Sequence, residues 1–304
     1  MTRTASIPPP DPNAAARQFA QTISEDDLLD RARGNYTNFF LYPPEQPVVF
    51  VKFGYGDQKQ AEGDMQILAF NWMRQERQRD PRCNIHVPEV FKIFSRDSMT
   101  VIIMQLLVGP VGIVAFFRKL DTATWKRYEP VLYAMVGQGV RMLSRMPVPD
   151  GATPGPFTRA KRIIKHLIFK DQEAPVVYPT ISDLEDHLNR VADLACRGKP
   201  HARIVLEDQL IYSYTDFNDD NFMFAIEPDG TLRLYIVDFE HVSFLPPSFL
   251  AYAVHDPGDR WFLCPPIAET FGNTLPQRNI SMLNEIRGLF QISTRRLGLD
   301  RRRP

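Results

Sequence analysis

Residues 211–241 read IYSYTDFNDDNFMFAIEPDGTLRLYIVDFEH. Two apolar runs, Phe222–Ile226 and Leu232–Val237, flank Glu227-Pro228-Asp229-Gly230. Asp-Gly between such runs is a strong short-range hairpin signal. A turn centred on Asp229-Gly230 sets Asn221 opposite Asp238 at the open end of the hairpin, within one register step. Asp216 precedes the first strand and lies in the same mouth. Taken singly, Asp and Asn often only mark turns. Three of them converging behind apolar strands form an oxygen-rich site suited to a hard cation such as Mg²⁺, which takes few protein oxygens plus substrate phosphates.

Upstream, Val48-Val49-Phe50-Val51-Lys52-Phe53 is a β-branched and aromatic run bounded by prolines and by Gly54 and Gly56, the pattern of a buried strand. The spacing of Ala61, Met65, Leu68, Ala69 and Trp72 predicts a helix over 59–77. Two short strands follow, over 89–94 and 99–107, and Gly109-Pro110 is strong punctuation. The chain therefore divides into a flexible segment (1–24, where Pro8-Pro9-Pro10 and Pro12 block regular structure), a first lobe (25–108) and a second lobe (109–304). In the second, a helix over 122–146 presents Val131, Met135, Met142, Leu143 and Met146 on one face, with Pro130 in the first turn of its main portion. Another helix spans 182–197 on the Leu184, Leu188, Val191, Leu194 spacing, with Ser182 and Glu185 as a capping box.

Among 304 residues, 44% are hydrophobic and 24% charged, the balance of a folded chain. Lys+Arg and Asp+Glu are both 36, so the broad basic excess of a nucleic-acid-binding domain is missing. Arg295-Arg296 and Arg301-Arg302-Arg303 make only a local basic tail. Three cysteines, Cys83, Cys196 and Cys264, form no C-x-x-C pair, which argues against a disulfide framework and for a reducing compartment. No stretch approaches the roughly 20 apolar residues of a membrane span, and the first residues hold no apolar run of signal-peptide length. The expected setting is cytoplasmic, away from membrane and nucleic acid, with no obligate protein partner.

Asp216-Phe217-Asn218-Asp219-Asp220-Asn221 resembles the D-x-x-x-x-N catalytic loop of protein-kinase-like phosphotransferases, and Val237-Asp238-Phe239-Glu240 resembles the metal-binding aspartate that follows the hairpin in that fold. Asp-Phe-Glu in place of Asp-Phe-Gly is similar to the aminoglycoside phosphotransferase and choline kinase branch, and the flanking text resembles its fungal members. The likeness runs in order through Val51-Lys52, Glu62, His86-Val87-Pro88-Glu89-Val90, Met104 to Gly109, and 214–241. It covers most of residues 48–250, and five weak pieces in the right order are together fairly specific.

The resemblance implies an α+β, two-lobed protein-kinase-like fold, with an antiparallel sheet and one helix in the small lobe and a larger, mainly helical second lobe. It implies that Lys52 holds the nucleotide α- and β-phosphates and that Glu62 pairs with it, although Asp64 and Glu76 lie on the same predicted helix. Backbone groups of Gln105 and Leu107 would meet adenine. Asp216 would accept the proton of, or orient, a substrate hydroxyl, while Asn221 and Asp238 would hold Mg²⁺ on the phosphates of ATP. Phosphoryl transfer asks mostly for this kind of positioning and charge neutralisation. The missing A-P-E segment favours a small-molecule hydroxyl over a protein substrate.

Three features depart from the pattern. No G-x-G-x-x-G precedes Lys52. Pro43, Pro44 and Pro47 crowd a short region where a phosphate-covering hairpin would lie. Tyr214 stands where the family usually has histidine, two residues before the catalytic aspartate. The last two motivate an alternative, a catalytically impaired pseudokinase that binds nucleotide or a partner.

Overall fold

The computed structural model describes residues 11–227, 229–255 and 262–299; Trp261 and the Arg301–Arg303 run lie outside them. Helices α1 (Ala14–Thr22) and α2 (Glu25–Arg33) come first. Strands β1 (Phe39–Tyr42) and β2 (Val49–Tyr55), helix α3 (Asp57–Arg79), and strands β3 (Ile85–His86), β4 (Val90–Arg96) and β5 (Met99–Gln105) follow. The first sheet has the order β1-β2-β5-β4 and is antiparallel throughout.

Strand alternation explains how this sheet serves a site. Val49, Val51 and Phe53 point to one face, where they pack with Val101 and Ile103 of β5 and with Ala20, Leu28 and Leu29 of the first two helices. The alternate residues Phe50 and Lys52 therefore face away from that core and line a cavity. Across the sheet from α1 and α2, α3 packs on β5 and β4 and buries Ala61, Met65, Ala69 and Met73.

Two expectations change here. The flexible segment over 1–24 contains α1, because Ala20 is fully buried and Arg17 grips Glu89 with two 2.8 Å hydrogen bonds, Nε to Oε1 and Nη2 to Oε2. Helices α1 and α2 thus accompany the single helix expected of the small lobe. The crowded proline region is the β1–β2 connection, and among the described residues β1 alone precedes the lysine strand as sheet.

Beyond β6 (Val111–Gly112) the chain becomes mainly helical. It forms α4 (Ile113–Arg118), α5 (Thr122–Ser144) and α6 (Ile181–Ala195), then β7 (Ile211–Tyr214), β8 (Phe222–Ile226), β9 (Leu232–Ile236) and β10 (Val242–Leu245). Helices α7 (Pro247–His255), α8 (Cys264–Phe271) and α9 (Ile280–Ile292) end the described chain. The fold is α+β, and among the described residues no helix is long and apolar enough to cross a membrane. The β8–β9 hairpin is central to a second sheet of order β3-β9-β8-β6, in which β3 runs parallel to β9. Strands β7 and β10 pair separately.

Helix α5 turns inward a face shifted from the predicted one: Leu143 and, just past the helix, Met146 are buried as expected, and Met135 and Met142 are half-buried against the core. Leu132, Val136, Val140 and Leu143 are buried, whereas Val131 is exposed. Gly137 sets this rotation, since a Cβ there would collide with Thr270 of α8, so the helices close on the glycine side. Pro130 sits well inside a continuous helix. The start of α6 is earlier than predicted: Thr180 is its cap and shares a capping box with Asp183. Ser182 is therefore inside the helix, and Glu185 instead accepts the Leu206 amide at 2.6 Å. Leu194, predicted on the buried face, is exposed.

Candidate active site

Lys52 lies in the apolar middle of β2 with its side chain only 10% exposed. Its ammonium meets Glu62 Oε1 of α3 at 2.6 Å and Asp238 Oδ1, beyond β9, at 2.9 Å. Burial by itself lowers the pKa of this amine, but the two carboxylates outweigh it and raise the pKa above the ordinary lysine value. The rival acids on α3 are engaged elsewhere: Asp64 bonds Gln60 and Thr158, and Glu76 pairs with Arg79.

The hairpin delivers Asp238 with a register one step from the predicted one. Its connection is five residues long, closed by a 2.8 Å bond from Glu227 N to Thr231 O, and Phe222 pairs with Ile236. Val237 consequently faces Asn221, whose carbonyl accepts the Val237 amide at 3.0 Å, and Asp238 lies one residue farther out. Asp238 has φ of 58°, a left-handed conformation that costs a non-glycine residue roughly 1–2 kcal/mol. The Lys52 contact and a 3.4 Å bond from the Glu240 amide to Oδ1 help hold it there.

Tyr214 takes part in the same arrangement. Its ring is fully buried among Phe222 and Phe239, and its hydroxyl donates to the Val237 carbonyl at 2.6 Å. Burial pushes the phenol pKa far up, so it stays a neutral donor that braces the residue just before Asp238. Asn221 ends a single 3-10 turn, Asp219–Asn221, capped by Asn218. Its Nδ2 donates to the Asp216 carbonyl at 3.3 Å, tying the two loop residues together.

A cavity of about 440 Å³ collects Lys52, Glu62, Gln105, Leu107, Asn221 and Asp238, with Phe50, Met104 and Met223 as apolar wall. Asp216 is half-buried beyond the end of β7 and is not part of that lining. The Gln105 N–H is already donated to Glu89 O at 2.8 Å.

Sequence reasoning missed a second layer of charge. Lys59 meets Glu62 Oε2 at 2.5 Å and Glu240 Oε2 at 3.5 Å, and Lys165 bonds the other oxygen of Glu240. Burial would raise the Glu240 pKa, but Lys59, Lys165 and Lys52 together hold it at about 2. Lys59 was within reach of sequence reasoning, since it is three residues before Glu62 on a helix. Lys165 was not, because it is 75 positions from Glu240. The carboxylates of Glu62, Asp238 and Glu240 come within 4.8 Å of one another.

No protein-family model and no curated protein matches the chain. Among solved structures, the GDP and kanamycin complex of APH(2")-IIia aligns at 14% identity and TM-score 0.43, over 87% of each chain. The GDP complex of wild-type aminoglycoside 2'-phosphotransferase-IIIa aligns at 13% and 0.41, over 80% of this chain and 75% of that one. Aminoglycoside phosphotransferase APH(3'')-Id from Streptomyces rimosus, with ADP and streptomycin, aligns at 14% and 0.39, over 88% and 99%. Likeness at this level carries nothing about activity.

Proposed function

We propose that this chain is a kinase-like phosphotransferase that moves the γ-phosphoryl group of ATP, with Mg²⁺, to a hydroxyl of a small molecule. Residues 25–108 serve as the nucleotide lobe and 109–304 as the catalytic and substrate lobe. The observation that carries this reading is the buried Lys52 ammonium, held charged between Glu62 and Asp238, the latter 186 residues away in sequence, on the wall of one cavity.

A permanently charged ammonium fixed by a buried carboxylate is suited to neutralise phosphate oxygens, and Glu62 keeps it oriented when Asp238 turns to other work. Asn221 and Asp238 fit a hard cation: both line the cavity, and the amide nitrogen of Asn221 is spent on Asp216, which leaves its oxygen for a ligand. Mg²⁺ held there would supply charge neutralisation across the nucleotide phosphates. Phe50, Met104 and Met223 offer an apolar slot for the base. With the Gln105 amide spent on Glu89, its carbonyl and the Leu107 backbone are the groups left to read the base. Asp216 would take the acceptor hydroxyl proton. The Tyr214 bond to Val237 supports this enzymatic reading over a nucleotide-binding pseudokinase, because it does the bracing for which the usual histidine was missed.

Thermal-shift titration with ATP, with and without Mg²⁺, tests the site, since a ligand of the folded state raises its apparent stability. Wild type should show a metal-dependent shift that Asp238→Ala loses. Asp216→Asn should keep the shift yet lower phosphoryl transfer in an acceptor screen by about 10²–10⁴-fold. No shift with nucleotide, or unchanged metal dependence in Asp238→Ala, overturns the assignment.

A further inference from the structure

A second cavity, of about 380 Å³, shares Gln105 with the first and is walled by arginines. Arg74 and Arg77 come from α3 and Arg233 from β9, while His86 of β3 and Tyr235 of β9 complete the wall. Parallel pairing of β3 with β9 sets His86 beside Tyr235, with ring centroids 5.2 Å apart.

The charges there are unevenly compensated. Arg17, at the rim, is fully engaged by Glu89 and by Asp11. Arg233 meets Glu227 at 3.0 Å through Nη1, but its Nε is buried without a partner. Arg77 donates only to a neutral group, the Ile85 carbonyl, at 3.1 Å. Arg74 leans on the Phe70 ring at 5.6 Å. Neither Arg74 nor Arg77 is in an ion pair among the described residues, the carboxylates of Asp11 and Glu89 in the same lining being taken by Arg17; three residues apart on α3, the two arginines share one face.

The electrostatic response of the neighbours agrees with this imbalance. Burial lowers the Arg77 pKa from the ordinary guanidinium value; Cys83 and Tyr235 oppose it, and the charges of Arg233 and Arg74 add smaller lowering effects. Burial, then Arg77 and Arg233, push His86 down to about 3, so its ring is neutral near pH 7 and adds no further positive charge.

We propose that this second cavity binds a small anion bearing a dianionic phosphate group, gripped by the guanidinium groups of Arg74, Arg77 and Arg233. The four arginines of the lining outnumber the three carboxylates that meet them, Asp11, Glu89 and Glu227, and the planar forks of the two arginines in no ion pair match phosphate oxygens two at a time. Arg233 Nε and the neutral His86 ring offer further hydrogen-bonding atoms at the same wall. Apart from Gln105, no residue of this cavity lines the first one, so the proposal is independent of the phosphotransferase reading.

Calorimetric titration of the full chain with inorganic phosphate and with glycerol 3-phosphate, near neutral pH, tests it. Saturable binding of at least one probe should survive Lys52→Gln, which removes the cation of the first cavity. It should weaken about tenfold or more in Arg74→Gln and in Arg77→Lys, which keeps the charge but loses the fork. Binding of inorganic phosphate alone would define a phosphate site, and tighter glycerol 3-phosphate a phosphomonoester site; both support the proposal. Should Lys52→Gln fail to fold by circular dichroism, the exposed Arg74→Gln decides. Absence of saturable binding, or affinity unchanged in Arg74→Gln and Arg77→Lys, overturns it.

Discussion

The two cavities on either side of Gln105 treat positive charge in opposite ways. At the first, Lys52 on the wall meets Glu62 and Asp238, and in the adjoining network Lys59 meets Glu62 and Glu240 and Lys165 meets Glu240. In the second, Arg74 and Arg77 are in no ion pair among the described residues, and Arg233 keeps a buried unpartnered Nε. Taking an ion out of water is costly unless a partner is supplied. The first cavity supplies partners from the chain, so Lys52 is held in place and kept charged before any ligand arrives. The second leaves part of that compensation to whatever enters it. One is a preset wall of paired charge, the other a wall with cations still to be paired.

The contrast breaks first at Glu62, whose side chain is 1% exposed and touches two lysines. Glu62→Gln keeps the shape but leaves Lys52 and Lys59 to share Asp238 and Glu240. Breaking a buried ion pair in this way should cost about 3–5 kcal/mol, read as a lowered urea midpoint. A loss below about 1 kcal/mol would mean that the lysines simply turn to solvent, as exposed pairs can.

Glu240 sharpens the comparison through pH. Its folded pKa of about 2 lies below the ordinary 4.5, so its contribution to stability is fully present above 4.5. It is lost as pH falls from there towards 2, where the folded form takes up the proton. The stability gap between wild type and Glu240→Gln should therefore be flat near neutrality and shrink through that acid window. A gap that is constant through it would remove Glu240 from the compensated network.

The two cavities also differ in how far sequence could reveal them. Lys52 was legible because a cation amid Val51 and Phe53 stands out in an apolar strand, and period-2 alternation then fixes which way it faces. Asn221 and Asp238 were legible from the Asp-Gly turn, although the five-residue connection moved their register by one step. Helix α1 was hidden because it depends on a bond between Arg17 and Glu89, 72 positions apart. The buried face of α5 was only partly read, because Gly137, which looks like a helix weakener in sequence, is where α8 approaches. Nothing in the sequence singled out Arg74 and Arg77. Only the parallel β3–β9 pairing brings His86 to Tyr235 and Arg233, and a two-residue strand leaves no periodic signal.

The smallest expected effect lies at Arg74, and its sign is the informative part. Arg74 is exposed, so repulsion from Arg77 is partly screened by water and fades with salt over a Debye length of about 8–10 Å. Arg74→Gln should change stability by less than about 0.5 kcal/mol and in the stabilising direction at low ionic strength, with the gain vanishing as salt is added. Urea unfolding at two salt concentrations measures it. A destabilisation as large as that of Glu62→Gln would show that Arg74 has an intramolecular partner in solution. The second cavity would then be as compensated as the first, and no anion would be needed to balance it.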